Sequence, residues 1–197
     1  IVFNRCFTSF CKYNTFMNNT SLEYDNVIKK TRNLFIAKMK DYGTSWRILR
    51  LPSFTDQIFI KANRVRSIQE SGVNMVGDDA VGEFIAMVNY GIMALIQCEL
   101  GTDTSNEIPE QQAIELYDKY ATATKDLMMK KNHDYGEAWR SMRVSSMTDL
   151  ILMKINRLKQ IEDNDGKTKV SEGVDANYSD IINYAVFCLI QLGAGNN

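Results

Sequence analysis

A narrow polar stripe near the end of the chain holds the residues whose types and spacing best suit chemistry. The stripe contains Asn177, Asp180, Asn183, Tyr184 and Gln191. Spacings of three, four and seven residues link them and put them on one side of a helix that is otherwise largely apolar. Glu172, just upstream, can reach the same side. Burying a carboxylate is costly and raises its pKa unless a cation or hydrogen-bond donors compensate. The stripe therefore predicts a compensating partner.

Two kinds of partner fit Asp180. A bound divalent metal is one, because carboxylate and carboxamide oxygens suit a hard ion such as Mg²⁺. The basic pair Lys154 and Arg157, three residues apart and so neighbours on a helix, is the other. The same spacings also allow structural roles: Asp180 can hydrogen-bond a neighbouring helix, and the basic pair can form ordinary surface ion pairs.

The elements that carry these residues occur twice in the chain. The segment that begins at Asp134 repeats the one that begins at Asp41, at a constant offset of 134 − 41 = 93 residues. Roughly half of the aligned positions are identical, more than two unrelated amphipathic helices would share. The matches are Tyr135 with Tyr42, Gly136 with Gly43, Trp139 with Trp46, Thr148 with Thr55, Lys154 with Lys61 and Arg157 with Arg64.

Each copy reads as three helices. In the second copy, Pro109 suits the first turn of a helix that runs to Asn132, and Gly136 suits a left-handed helix stop. Thr148-Asp149 looks like the capped start of the next helix, and the apolar segment 177–192 forms the last. The first copy follows the same plan, with Thr55-Asp56 as the second start and 83–100 as the last helix. Residues 69–77, 102–107 and 162–170 read as linkers.

The fold class predicted is an all-α helical bundle built from two diverged tandem copies of a roughly three-helix unit, with approximate internal two-fold symmetry. Residues 1–20 are expected to be an N-terminal extension outside the working domain. Residues 21–103 form copy one and residues 104–197 form copy two. Three helices offer too few apolar faces to be stable alone, so the two copies are expected to pack as one globule.

Composition limits the functions that such a bundle can have. The net charge is −1 and the pI is about 5.9, so general nucleic-acid binding is not expected. The last helices carry too many polar groups for a membrane span. The four cysteines do not match between copies, which argues against a zinc site or a disulfide framework and favours a cytoplasmic location. His133, the single histidine, lies outside the repeated pattern.

The residues above resemble a known family. The series Lys131, Asp134-Tyr135-Gly136, Trp139, Thr148-Asp149, Lys154, Arg157, Glu172-Gly173, Asp180 and Asn183-Tyr184 is similar to the nucleotide modification associated domains of type one, α-helical domains often found in tandem in bacteria and phages. The resemblance covers both copies, over residues 21–193. This family is in turn distantly similar to the all-α NTP pyrophosphohydrolases of the MazG and dimeric dUTPase kind.

In those enzymes, carboxylates on neighbouring helices hold magnesium, and a nucleoside triphosphate is cut to the monophosphate and pyrophosphate. The resemblance thus implies magnesium-dependent hydrolysis of a nucleotide, with Asp149, Lys154 and Arg157 as catalytic residues. Glu172 and Asp180 would hold the metal, with Glu83 as an additional candidate. The implied substrate-binding residues are Lys131, Tyr135, Trp139, Asn183, Tyr184, Lys61 and Arg64.

This chain departs from the enzymes' pattern at the metal site. They usually carry paired glutamates on one helix and Glu-x-x-Asp on the next, whereas here the second motif reads Asn177-x-x-Asp180 in copy two and Glu83-x-x-Ala86 in copy one. Copy two is therefore the better candidate for a working site. A nucleotide-binding module without catalysis and a structural helical pseudodimer are the alternative functions. A nucleotide is the expected partner, and a homodimer is the candidate assembly.

Overall fold

The computed structural model describes residues 3–72, 79–101, 107–164, 166–167 and 172–196, with side chains from residue 19 onward. Over these ranges the chain is helical and contains no strand, as the sequence predicts. Short 3₁₀ turns, Ser45–Ile48 and Ala138–Ser141, follow the first helix of each copy. The long helices are α1 Phe3–Tyr42, α2 Leu51–Ser71, α3 Ala80–Leu100, α4 Glu110–Tyr135, α5 Val144–Asp163 and α6 Val174–Gln191.

The first helix of each copy ends at the predicted glycine. Gly43 and Gly136 have φ of 59° and 60°, the left-handed conformation that glycine tolerates best. Their amides donate to the carbonyls of Met39 and Asn132 at 2.8 and 2.9 Å, which closes the last turn of α1 and α4. The Asp-Tyr-Gly motif is therefore a helix stop in both copies.

The predicted start of the second helix is wrong in both copies. α2 begins at Leu51 and α5 at Val144, so Thr55 and Thr148 lie one turn inside their helices. Thr148 Oγ1 donates back to the Val144 carbonyl at 3.0 Å, the bond that a mid-helix threonine makes. Both threonines are fully buried, because they face the other copy.

The apolar helices of the two copies form the centre of the bundle. α3 packs against α6, α2 against α3, α5 against α6, and α2 against α5. The inner faces of α2 and α5 are fully buried: Ile58, Ala62, Val65, Ile151, Ile155 and Leu158. α3 and α6 approach so closely at Gly91 that a Cβ atom there would lie 2.6 Å from Ile182 Cγ1. Packing of the final helices against each other is thus as predicted.

α3 is long and apolar enough to cross a membrane by length and composition alone. Its most apolar window is 67% buried inside the bundle, between α2 and α6. That burial is what the core helix of a globular domain shows.

Repeat-related hydrogen bonds join the copies. The Tyr24 hydroxyl, in copy one, donates to Asn183 Oδ1 of copy two at 3.0 Å, and Asn183 Nδ2 donates to the Thr124 carbonyl at 3.3 Å. The related set is Tyr117, Asn89 and Thr31, with distances of 2.8 and 3.1 Å. All of these residues are buried. Each first helix is therefore bonded to the last helix of the opposite copy, as internal two-fold symmetry requires.

The boundaries of the copies lie partly outside the described residues. The predicted linkers include residues 73–77, 102–106, 165 and 168–170, which are among those not described. Within the predicted N-terminal extension, α1 continues without a break, and Thr20 is fully buried and donates to the Glu137 carboxylate.

Candidate functional site

Most of the predicted second-copy residues meet at one cavity of about 350 Å³, which we call the second-repeat pocket. Side chains of α4, the second 3₁₀ turn and α6 line it. The predicted site residues in its lining are Lys131, Tyr135, Trp139, Asp180, Asn183 and Tyr184. The residues grouped by helical spacing and those implied by the family resemblance thus lie together.

Asp180 is the charged centre of this pocket. Its Oδ1 accepts from Lys131 Nζ at 2.6 Å, and its Oδ2 lies 2.6 Å from Lys154 Nζ. The Asp180 side chain is only 10% exposed, so two ammonium groups compensate one nearly buried carboxylate. Burial lowers the pKa of Lys131, but its contact with Asp180 outweighs this effect and leaves that pKa raised. The two lysines and the aspartate together carry a net charge of +1.

The aromatic residues divide into packed and accessible rings. Trp139 stacks on Phe187 with ring centroids 4.3 Å apart, and the Arg140 guanidinium lies 4.5 Å from the Trp139 ring centre. Trp139 is 5% exposed, which agrees with a core-closing role for its ring. Tyr135, in contrast, is 72% exposed, and Tyr184 is half-buried, with its pKa raised by burial and by the Asp180 charge. The two tyrosines are therefore the rings that a ligand can reach.

Two residues that line the pocket differ in whether their polar groups have hydrogen-bond partners within the fold. Asn183 uses both ends of its amide within the fold, toward Tyr24 and the Thr124 carbonyl, so its first role is structural. Trp139 Nε1 is buried and has no hydrogen-bond partner among the described residues. A buried donor without an acceptor is rare, and a ligand acceptor in the pocket would satisfy it.

The structure does not bring Asp149 and Arg157 to this pocket. Both line a separate groove of about 570 Å³ along α5, which we call the polar groove, and Lys154 lines it too. Asp149 is 62% exposed and lies 3.7 Å from Arg66 of α2. The repeat-related contact joins Lys159 of α5 to Asp56 of α2 at 2.8 Å. A repeated, exposed ion pair between α2 and α5 indicates a structural contact for Asp149.

The predicted metal ligands are also distributed over different places. Glu172 is 60% exposed and lies 3.8 Å from Lys154 Nζ, while Glu83 belongs to copy one. Among the described residues, no group of three or more His, Cys, Asp or Glu side chains is arranged to hold a metal ion. Because each oxygen of Asp180 already faces an ammonium group, this donor set does not fit Mg²⁺.

The sequence interpretation missed a cavity of about 520 Å³ in copy one, which we call the first-repeat pocket. Glu83 lines it, is 3% exposed, and pairs with Arg64 at 2.7 Å and with Lys61 at 3.2 Å. The basic pair of copy one thus holds a carboxylate of the last helix, as Lys154 does in copy two. The signal was present in the sequence, because the repeat offset maps the lining of one cavity onto the other.

Comparison with known proteins agrees with the repeat. The family model described as nucleotide modification associated domain 1 matches residues 38–98 and again residues 131–192, which together exceed half of the chain. Each matched segment contains the end of the first helix of its copy, the glycine stop, the tryptophan turn and most or all of the two helices that follow. No curated protein matches the chain, and no solved structure does. The chain belongs to the nucleotide modification associated domain 1 family, with two tandem copies of the domain.

Proposed function

We propose that the protein binds a nucleotide in the second-repeat pocket. The observation that carries this proposal is the convergence of two reachable tyrosine rings and a lysine-rich charged centre on one cavity of about 350 Å³. That volume is within the range of roughly 300–1,000 Å³ typical of small-molecule sites. The family's association with nucleotide modification supports the same ligand class.

Each part of the pocket has a counterpart in a nucleotide. The exposed Tyr135 ring and the half-buried Tyr184 ring offer faces for stacking a base. Lys131, whose side chain is 43% exposed, binds phosphate oxygens through its ammonium group. The Asp180 carboxylate accepts a hydrogen bond from a sugar hydroxyl or a base amino group, and the unpaired Trp139 indole N–H donates to a base or sugar acceptor.

Magnesium-dependent hydrolysis is the second candidate function. The observation that favours it is that carboxylate oxygens of Glu172 and Asp180 lie 3.8 and 2.6 Å from the same Lys154 Nζ. Metal binding there would require at least one ammonium group to leave Asp180. Recognition, in contrast, requires no rearrangement of these side chains.

Calorimetry with a panel of ribo- and deoxyribonucleoside mono- and triphosphates tests the proposal. Tyr135→Ala removes one stacking face and Lys131→Ala removes a phosphate contact, so each is expected to weaken binding by about tenfold or more. Lys130→Ala is the matched control, because Lys130 is exposed on the same helix and does not line the pocket. Tyr135→Phe keeps the ring and is expected to retain binding.

The same titrations separate the two candidate functions. Affinity that persists in a chelator, without release of pyrophosphate, supports recognition alone. Pyrophosphate release that requires Mg²⁺ supports the hydrolytic candidate instead. If no nucleotide in the panel binds or raises the melting temperature, the proposal is wrong, because a ligand of the folded state must stabilise that state.

A further inference from the structure

The first-repeat pocket is built from the repeat counterparts of the second-repeat pocket. Subtracting 93 from Lys131, Tyr135 and Trp139 gives Lys38, Tyr42 and Trp46, and all three line the cavity in copy one. In the last helix the offset is 184 − 90 = 94, and there Tyr90 lines the first-repeat pocket as Tyr184 lines the second. The chain thus presents the same type of cavity twice, and the one in copy one is larger, at about 520 Å³.

The unpaired tryptophan donor also occurs twice. Trp46 Nε1 is buried and has no hydrogen-bond partner in the described part of the chain, as is true of Trp139 Nε1. A buried donor without an acceptor destabilises the fold that contains it. The same orphaned atom in both cavities indicates that each is shaped to accept a hydrogen-bond acceptor from outside the chain.

The charged residues that line the two cavities differ. Ala86 stands where copy two has Asp180. Lys131 is therefore held by a carboxylate, whereas Lys38 is exposed and makes no ion pair or hydrogen bond with any residue that the structure describes. Two carboxylates line the first-repeat pocket, Glu83 and Asp79. Glu83 is already matched by Lys61 and Arg64, and Asp79 accepts a hydrogen bond from the Gly82 amide at the start of α3. An uncommitted ammonium group at the rim of a larger cavity suits a ligand with more negative charge.

We propose that the first-repeat pocket is a second nucleotide site, which prefers the triphosphate end of its ligand and uses Lys38 and the Trp46 indole N–H to bind it. The two sites differ in preference because copy one has Ala86 at the position where copy two has Asp180. The inference rests on the proposed function for its ligand class, but the anion preference follows from the charges of copy one alone.

Inorganic tripolyphosphate is the probe that separates this inference from the proposed function, because it carries the anionic end without a base or sugar. Its binding to the full chain is measured by calorimetry at low ionic strength. Lys38→Ala is expected to weaken this binding by about tenfold, and Ala86→Asp by a comparable factor, because an aspartate there would pair with Lys38 as Asp180 pairs with Lys131. Lys40→Ala is the matched control, since Lys40 is exposed on the same helix outside the cavity.

The outcomes are distinct. Loss of tripolyphosphate binding in Lys38→Ala and Ala86→Asp, with unchanged melting temperatures, supports the second site even if no nucleotide binds the second-repeat pocket. Unchanged tripolyphosphate binding in both variants, or a loss in Lys40→Ala equal to that in Lys38→Ala, overturns the inference. In that case nucleotide binding that depends on Tyr135 and Lys131 would still leave the proposed function intact.

Discussion

Asp180 is both a contact between helices and part of the lining of the second-repeat pocket. Its carboxylate is nearly buried, and its two oxygens each contact a lysine, one from α4 and one from α5. The carboxylate therefore joins three helices while it lines the second-repeat pocket. Removing its charge leaves two ammonium groups beside each other, at a position where water reaches only part of them.

Asp180→Asn is therefore expected to destabilise the protein. Breaking a fully buried ion pair costs about 3–5 kcal/mol, and the 43% exposure of the Lys131 side chain reduces the expected loss to about 1–3 kcal/mol. Urea unfolding at neutral pH measures this loss. Asp25→Asn is the matched control, because Asp25 is 58% exposed and pairs with one lysine, Lys125, at 2.6 Å. Equal losses in the two variants would show that Asp180 is no more than a surface partner.

The residue types of the site could be predicted from the sequence, but their partners could not. Helical spacing placed Asp180, Asn183 and Tyr184 together, and the structure agrees. The sequence interpretation also expected Asp149 to act at the same site, with Lys154 and Arg157. Asp149 instead lies beside Arg66 of α2. The packing of α2 against α5 decides this contact, and the spacing of residues within one helix carries no information about that packing.

At the scale of elements, the helix ends marked by glycine were predicted correctly, whereas the start of the second helix in each copy was not. Gly43 and Gly136 have a backbone conformation that few other residues adopt, so the helix stop can be predicted from the local sequence alone. Thr55-Asp56 has the residue types of a cap but lies inside α2, and Pro52 in the first turn was the better signal. Copy two lacks that proline, and its start at Val144 follows from the repeat alone.

The α2–α5 contact contains a pair of repeat-related hydrogen bonds with different chemistry. Gln69 Nε2 donates to Thr148 Oγ1 at 3.1 Å, while in the related place Thr55 Oγ1 donates to Glu162 Oε1 at 2.6 Å. Burial raises the pKa of the Glu162 carboxyl, and the nearby Asp56 charge adds to this, against the opposing effect of the Thr55 hydrogen bond. Copy one thus has the uncharged Gln69 amide at the position where copy two has the Glu162 carboxyl group.

Glu162→Gln is expected to raise the melting temperature at pH 7. An acid whose pKa is raised in the folded state favours folding below its unfolded pKa and loses that contribution as the pH rises through the folded pKa. The gain from Glu162→Gln is therefore expected at neutral pH and should disappear as the pH falls below the usual range of a glutamate. Thermal unfolding from pH 3 to pH 8 checks it.

Gln69→Glu is the reciprocal control for that experiment. It introduces a carboxylate at the related position beside Thr148 and is expected to lower the melting temperature at pH 7 but not in acid. A pH-independent effect of either substitution would mean that side-chain shape, and not charge, decides the stability of this contact.

At the scale of the whole molecule, the two copies are held together by bonds that neither copy can make alone. Tyr24 and Tyr117 are fully buried, and each hydroxyl donates to an asparagine on the last helix of the other copy. Burial raises the pKa of both phenols, so they remain neutral donors at any physiological pH. Substitution of either tyrosine therefore tests whether the bundle unfolds as one unit.

Tyr24→Phe and Tyr117→Phe each leave a buried asparagine oxygen without its donor, at an expected cost of about 1–3 kcal/mol. Tyr117 also contacts Thr31 Oγ1 at 2.8 Å, so its replacement should cost more than that of Tyr24. Tyr42→Phe, at a 69% exposed position, is the control and should change stability little. If the bundle is one cooperative unit, urea unfolding of each variant keeps a single transition with an unchanged slope. Two separate transitions, one per copy, would contradict that description of the fold.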